Sequence, residues 1–558
     1  MNNKWRFPGN NFTNEIGLDT ANMEMFKRDP LSSLAREICQ NSIDARKNDN
    51  EPVKVSFSLF TIDNPLIPEV SRLRQELDSC KRYMFENEEK VVEIEQMIKS
   101  ISKNKITVLR ISDFNTTGLK GVSDSLNNTK SWYLLTKGSG ISQKTGTTGG
   151  SKGIGKYASF VSSSFRTVFY STYTDEEEKG YQGIAYYMST YSELNPEEKT
   201  TGVGFYGSND KNEPILEEFN LDKNFRREDK QYGSDVYILG FEFDDWEKEI
   251  TSKVLESFMV ALKKKDLVVD VNGQMINNET IHEIINKRTF IKNRDFKSIF
   301  AQYSLLYDDK NYHKTHTIDG LGEFDIFIKS YNHKESSQAT NSCMMVRYPY
   351  MKIKDLKNLT HIPHSAMCVI NKDELNIRLR KIENPEHIDW EFKRIKNNDE
   401  RKALQADFKK LTTLIENEIK EYLLSSDSIQ SDIEGASEYL PSNNEGNSEK
   451  EEKTEYTHVS PLKKVEGKKE IGLEPSEDET SNIPGEGNPG DEDGEGYKSG
   501  EGEGGGGEGF ITPGTDPDGD SATVIKEKLK GIVHKFFVID KDKNRFRLIV
   551  VPSIEESE

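Results

Sequence analysis

Disulfide and structural-zinc chemistry are missing from this 558-residue chain: its four cysteines, Cys39, Cys80, Cys343 and Cys368, form neither a CxxC pair nor a framework spacing. Such sparse usage fits a reducing compartment. No run approaches the ~18–20 apolar residues that a bilayer span requires, and the opening MNNKWRFPGNNF has no continuous apolar core of the signal-peptide kind. A cytoplasmic location without membrane contact is therefore expected. Histidine is also scarce, nine residues with none before His282.

Negative charge is plentiful but local. The chain carries 96 acidic and 76 basic residues, a net charge of −20. Between Ser426 and Thr523 there are 26 acidic and 7 basic residues, which leaves 70 and 69 elsewhere. The rest of the chain is thus electrically balanced, and its overall acidity does not exclude a nucleic-acid partner. The acidic segment peaks in GEGNPGDEDGEGYKSGEGEGGGGEG. It has too little apolar surface to offset its ordering entropy, so a disordered linker is expected over 426–523. A solvated spacer is the simplest role; an electrostatic mimic of nucleic acid is the alternative. Beyond it, within 524–558, KFFVIDKDKNRFRLIVV reads as a hairpin around a Lys-Asp-Lys-Asn turn.

The first half mixes helix and strand signals. Asp29-Pro30 reads as an N-cap with proline at the first helical position, opening a helix through Ala45. VKVSFSLFTI and ITVLRISD alternate like strands, and the charged stretch from Glu69 to Ile101 between them reads as a helical hairpin or arm. Strand-like runs recur at FRTVFYST, GIAYYMST and SDVYILGFEF, and Asn272-Gly273 predicts a hairpin turn. Helical character is predicted from about Trp390 to Leu424.

Three short features carry chemistry. On the helix, Leu31, Leu34, Ala35, Ile38 and Ala45 share one face, while Glu37, Gln40, Asn41 and Asp44 form a neighbouring polar stripe. Asp113 ends an apolar strand ahead of FNTTGL, where a carboxylate beside Gly118 can accept a hydrogen bond from an adenine amino group. Third, GGSKGIGK over 149–156 clusters glycines that let backbone amides approach phosphate oxygens. Read as G-x-x-x-x-G-K the cluster imitates a P-loop, but Tyr157 stands where a Mg²⁺-binding Ser or Thr is needed.

In this order the three features resemble the GHKL ATPases, which include DNA gyrase, the ninety-kilodalton heat-shock chaperone, histidine kinases and mismatch-repair ATPases. Glu37, Asn41 and Asp44-Ala45 match the family's ExxxN motif. Asp113 and Gly118 match its DxGxG box in the looser form DFNTTGL, and Gly150, Gly153 and Gly155 match its glycine-rich lid. Gly233-Ser234 stands for its late Gly-Thr pair. The resemblance implies an α+β architecture: a GHKL (Bergerat) α/β sandwich over 1–250 with a helical insertion at about 66–101, then a transducer-like α/β domain over 251–425. It implies ATP and Mg²⁺ as ligands. Glu37 would be the general base, Asn41 the Mg²⁺ ligand and Asp113 the adenine acceptor. Asp44, Gly118 and Ser234 would border the nucleotide, and Gly150, Gly153, Gly155 and Lys156 would close over its phosphates.

With His282 the first histidine, no acceptor stands ahead of the ATPase helix, and autophosphorylation of the histidine-kinase type is not expected. Asp516, Asp518 and Asp520 form an acidic triplet inside the linker, where a solvated charge run is expected rather than a nuclease centre. His361 and His364 have ligand spacing but no third partner. Arg347, Arg378, Arg380 and Lys381 are candidates for a basic residue reaching the γ-phosphate from the second domain. The expected protein is an ATP-driven switch that dimerises on ATP binding and works on DNA, as a clamp or remodeller in bacterial genome maintenance or phage defence. The alternative is a chaperone-like or signalling scaffold that recruits a protein through its linker or C-terminal element.

Overall fold

The computed structural model describes residues 3–138, 154–192, 196–209, 211–289, 291–357, 359–425, 533–540 and 545–551. Gly150, Gly153, the linker and its acidic triplet lie outside the described residues. The chain divides into Met1–Gly446 and Asn447–Glu558. The first unit has an α+β architecture built on two sheets.

The larger sheet has nine strands: β1 (Lys4–Arg6), β2 (Val53–Asp63), β3 (Lys105–Phe114), β4 (Thr167–Tyr173), β5 (Lys179–Tyr186), β6 (Val203–Gly207), β7 (Gly233–Leu239), β8 (Leu267–Val271) and β9 (Gln274–Ile276), ordered β1-β6-β5-β4-β7-β3-β2-β8-β9. All neighbours are antiparallel except β2 and β8. Asn272 and Gly273 take positive φ at the β8–β9 turn, as the dipeptide predicts.

One face of this sheet is covered by α1 (Ala21–Lys27), α2 (Pro30–Asp44), α6 (Tyr157–Val161) and α7 (Trp246–Lys263), with α5 (Ser131–Thr136) leading toward the undescribed loop. Asp29 caps α2 by accepting from Ser32 N at 3.4 Å, ahead of Pro30. Leu31, Leu34 and Ala35 are buried against Val53, Val55 and Ile111, each strand offering alternate residues to the helices. Truncating Leu34 to Ala would cost about 2–5 kcal/mol. On the other face lie α3 (Val70–Tyr83) and α4 (Glu88–Ile101), the helical hairpin between β2 and β3, packed through Leu73, Leu77, Ile94 and Met97. Asn87 makes the break between them, its side chain accepting from Lys90 N at 3.1 Å.

The second sheet contains β10 (Tyr312–Ile318), β11 (Gly322–Ser330), β12 (Ser342–Arg347), β13 (Met351–Lys357) and β14 (His364–Ile370), ordered β10-β11-β14-β12-β13, with β12 and β14 parallel. It is accompanied by α8 (Ile281–Lys287), α9 (Asn293–Tyr307), α10 (Glu374–Lys381) and α11 (Asn398–Ser425). The last helix starts later than the predicted Trp390. Asn397 marks its start by accepting from Asp399 N at 2.9 Å.

No linker separates the halves near residue 250. That position falls inside α7, and β8 and β9 beyond it join the larger sheet. One apolar core runs from α2 through α7 to the second sheet and α11. This shared core also changes α2. Its buried stripe continues through Cys39 and Ile43 rather than the expected Ile38 and Ala45, and polar Gln40 is only 1% exposed. The second half covers what would otherwise be a solvated side of the helix.

In the second unit, β15 (Val533–Asp540) and β16 (Arg545–Val551) pair antiparallel as the predicted hairpin, with the expected turn residues 541–544 outside the described set.

Candidate functional site

Glu37 and Asn41 sit one turn apart on α2, and Asn41 Nδ2 donates to Glu37 Oε1 at 2.7 Å. A carboxylate can only accept, so the amide must turn its nitrogen to Glu37, which leaves the amide oxygen for a cation. A β-carbon on Gly155 would lie 1.9 Å from the Glu37 carboxylate carbon. Glycine is required there for the end of the glycine-rich segment to reach the acid.

Asp113, at the end of β3, meets Ser234 at the start of β7, the strand beside it. Ser234 N donates to Oδ1 at 2.7 Å and its hydroxyl to Oδ2 at 2.8 Å, while Thr116 Oγ1 donates to Oδ1 at 2.8 Å. Ser42, next to Asn41, donates to Oδ2 at 3.3 Å and ties the strand end to α2. The loop that follows is fixed by Gly118, whose φ is +67° and where an added β-carbon would lie 2.9 Å from Tyr173 O.

The second half contributes several groups. Arg347 is fully buried, forks onto both oxygens of Glu383 (Nη2 at 2.6 Å) and reaches Gln40 Oε1 at 3.4 Å. Burial opposes charge on Glu383, but Arg347 and His387 outweigh it and hold its carboxyl well below the usual carboxylate range. His387 Nδ1 lies 2.7 Å from Glu383 Oε2. Arg36 reaches back from α2 to donate to His387 O, and to Ser257 Oγ at 2.8 Å. Burial pulls Arg36 down to about 10, so it stays charged at neutral pH.

The remaining expected residues are placed differently. Asp44 is paired with Arg380 at 2.6 Å, both side chains almost fully enclosed. Lys156 donates to the carbonyls of Leu135 (3.0 Å) and Gly138, and burial pulls its ammonium down to about 8. Its ammonium is therefore engaged at the end of α5. Arg378 is held by Glu374 and Asp407, and Lys381 is exposed near Glu400. His364 bonds Ile362 O at 2.8 Å, and no group of three metal-ligating side chains occurs among the described residues.

This donor set fits the nucleotide and metal that the resemblance implies. Asn41 offers a hard oxygen of the kind Mg²⁺ takes, and Asp113 is an oriented acceptor for an amino group. Glu383 and His387 escaped sequence reasoning. Their only signal was a histidine four residues after a glutamate in IENPEHIDW, which gains meaning only once the second sheet brings it to α2. Among the described residues, no helix is long and apolar enough to cross a membrane.

No family model and no curated protein sequence matches the chain. Among solved structures it is similar to the ATPase region of Saccharomyces cerevisiae topoisomerase II, with 10% identity over 61% of this chain and 73% of that one and a TM-score of 0.30. It is also similar to the ATPase and transducer domains of DNA topoisomerase II from Balamuthia mandrillaris, with 8% identity over 67% of this chain and 82% of that one and a TM-score of 0.29.

Proposed function

We propose that the chain is a Mg²⁺-dependent ATPase of GHKL type. The observation that carries this reading is the meeting of two pairs, Glu37–Asn41 on α2 and Asp113–Ser234 at the ends of β3 and β7, joined through Ser42. One pair offers a base beside a metal ligand; the other offers an oriented acceptor for the adenine amino group.

In the proposed reaction Glu37 accepts a proton from the attacking water, its orientation held by Asn41. Mg²⁺, held through the Asn41 oxygen, would neutralise charge developing on the phosphate oxygens. Asp113 fixes the base, and Gly155, packed against Glu37, belongs to the glycine-rich segment that would close over the phosphates. ATP binding then drives closure of that segment and dimerisation through the N-terminal half. The cycle moves DNA, as a clamp or remodeller in bacterial genome maintenance or phage defence.

Steady-state hydrolysis by the purified chain, with and without DNA, tests this. Glu37→Ala is expected to reduce turnover by roughly 10²-fold or more while ATP still binds; unchanged turnover would sink the assignment. Stimulation by DNA that fades as salt rises supports the DNA client. No DNA effect, with a stable protein complex recovered instead, would favour a chaperone-like or signalling scaffold.

A further inference from the structure

A cavity opens on the face of the larger sheet turned away from α2. Side chains alternate along a strand, so Phe114 at the end of β3 points opposite to Asp113, whose carboxylate meets Ser42 of α2. Between Phe114, the loop after α2 and the loop ahead of β7 lies a space of about 740 Å³. That falls within the ~300–1,000 Å³ typical of ligand sites.

The lining is aromatic and basic. Phe114, Phe225 and Tyr232 present half-buried rings, with Lys47, Lys54 and Lys230 around them. The rings are braced by the protein. Arg227, buried and paired with Asp235, stands 4.8 Å from the Phe114 ring centre, and buried Arg110 stands 3.7 Å from that of Phe225. Tyr232 packs edge-on against Tyr173 at 5.1 Å. The lysines are looser. Lys47 and Lys230 are exposed, and neither forms an ion pair among the described residues. Lys54 reaches a carboxylate only at 3.9 Å, on Asp270. Lys47 Nζ lies 3.8 Å over the Tyr232 ring and Lys54 Nζ 5.8 Å over that of Phe114. Glu51 is the one acidic residue along the lining, and it already accepts from Asn48 Nδ2 at 3.2 Å.

Fixed rings beside cations on flexible stems suit a ligand that is flat and apolar in one part and anionic in another. A nucleotide of a single strand has both parts: its base stacks on aromatic side chains and its phosphate pairs with lysine. An acidic peptide would use the lysines and leave the rings idle, and in a duplex the bases are already stacked on one another. We propose that this cavity binds single-stranded nucleic acid, a base stacking on Tyr232 or Phe114 and the displaced lysine swinging onto a neighbouring phosphate. It is a site separate from the one around Glu37 and Asp113, and it stands on its own lining whether or not the chain hydrolyses ATP.

The test is fluorescence anisotropy of the full chain with a labelled oligothymidine strand, measured without ATP so that the result is independent of any hydrolysis assay. The parent should bind, with affinity falling as salt rises. Lys47→Gln combined with Lys230→Gln is expected to weaken binding about 10-fold or more, and to lower the slope of log affinity on log salt by about 0.7 for each lysine lost. Tyr232→Ala should weaken binding about 5-fold or more at an unchanged salt slope, while Tyr232→Phe, which keeps the ring, binds as the parent does. A uridine strand run beside the thymidine one tells RNA from DNA, binding of either supporting the site. No binding by the parent would overturn the proposal, as would parental affinity in the lysine pair or in Tyr232→Ala. Equal losses in Tyr232→Phe and Tyr232→Ala would remove the stacking. A duplex of the same length bound as well as the strand would also overturn it, and thymidine monophosphate competing as well as the strand would make the cavity a small-nucleotide site instead.

Discussion

Ser234 grips Asp113 with two groups at once, its backbone N–H on one carboxylate oxygen at 2.7 Å and its hydroxyl on the other at 2.8 Å. The register of β3 against β7, with Ser112 opposite Asp235, puts the two residues side by side. Both oxygens are thereby oriented before any ligand arrives. Asp113→Asn is expected to weaken ATP binding by roughly 10- to 100-fold, since a hydrogen bond to a charged group is worth about 1.5–3 kcal/mol. Ser234→Ala should weaken it less, and Ser234→Thr should bind as the parent does. Titration with a fluorescent ATP analogue checks the series, and unchanged affinity in Asp113→Asn would overturn the adenine assignment.

Asn41 gives its nitrogen to Glu37, and in the proposed reaction its oxygen would take the cation. Asn41→Ala should raise the Mg²⁺ concentration for half-maximal hydrolysis about 10-fold or more, the scale on which groups supporting a metal act. A Mg²⁺ titration at saturating ATP reads this directly. An identical Mg²⁺ profile would remove Asn41 from the metal site.

Arg380 and Asp44 join the two halves through a pair with 2% and 4% side-chain exposure. Breaking a buried pair from one side costs about 3–5 kcal/mol because the other charge is stranded. Arg380→Ala should lose stability on that scale in urea, and Asp44→Asn added to it should restore part of the loss. Additive losses in the double variant would contradict the pairing.

Glu383 makes stability depend on pH. Its folded carboxyl is depressed, so its contribution is complete above the ordinary glutamate value of about 4.3 and is lost as pH falls below it. Glu383→Gln should therefore be less stable than the parent at neutral pH, with the gap narrowing as pH drops below about 4. Urea denaturation across pH 3.5–7 measures the gap; a constant difference would rule out an ionised Glu383 as its source.

Much of the site was legible because its signals are local. Asp29-Pro30 announces α2, Glu37 and Asn41 lie within it, and Asp113 and Ser234 each mark a strand terminus. What stayed hidden depends on residues remote in sequence. Gln40 falls on the polar stripe with Glu37 and Asn41, but Arg347 covers it. Asp44 looked like a ligand contact, but Arg380 occupies it. Lys156 looked like a phosphate anchor, although its ammonium is engaged by two carbonyls. Glu383 and His387 could not be read at all, since no local pattern says that they will be folded onto α2. The expected boundary at 250 failed for a related reason: polarity along α7 gives no hint that both of its flanks are used.

The helix that carries Glu37 is held from two directions, by the larger sheet and by Arg347, Arg380 and the His387 carbonyl from the second half. Thermodynamic linkage follows from that double grip. On the ATPase reading proposed above, any partner whose binding shifts the second sheet against α2 would alter the affinity for nucleotide by some factor, and nucleotide would alter the affinity for that partner by the same factor. A client can therefore be sought without knowing its identity, as whatever makes the chain hold ATP more tightly or more loosely.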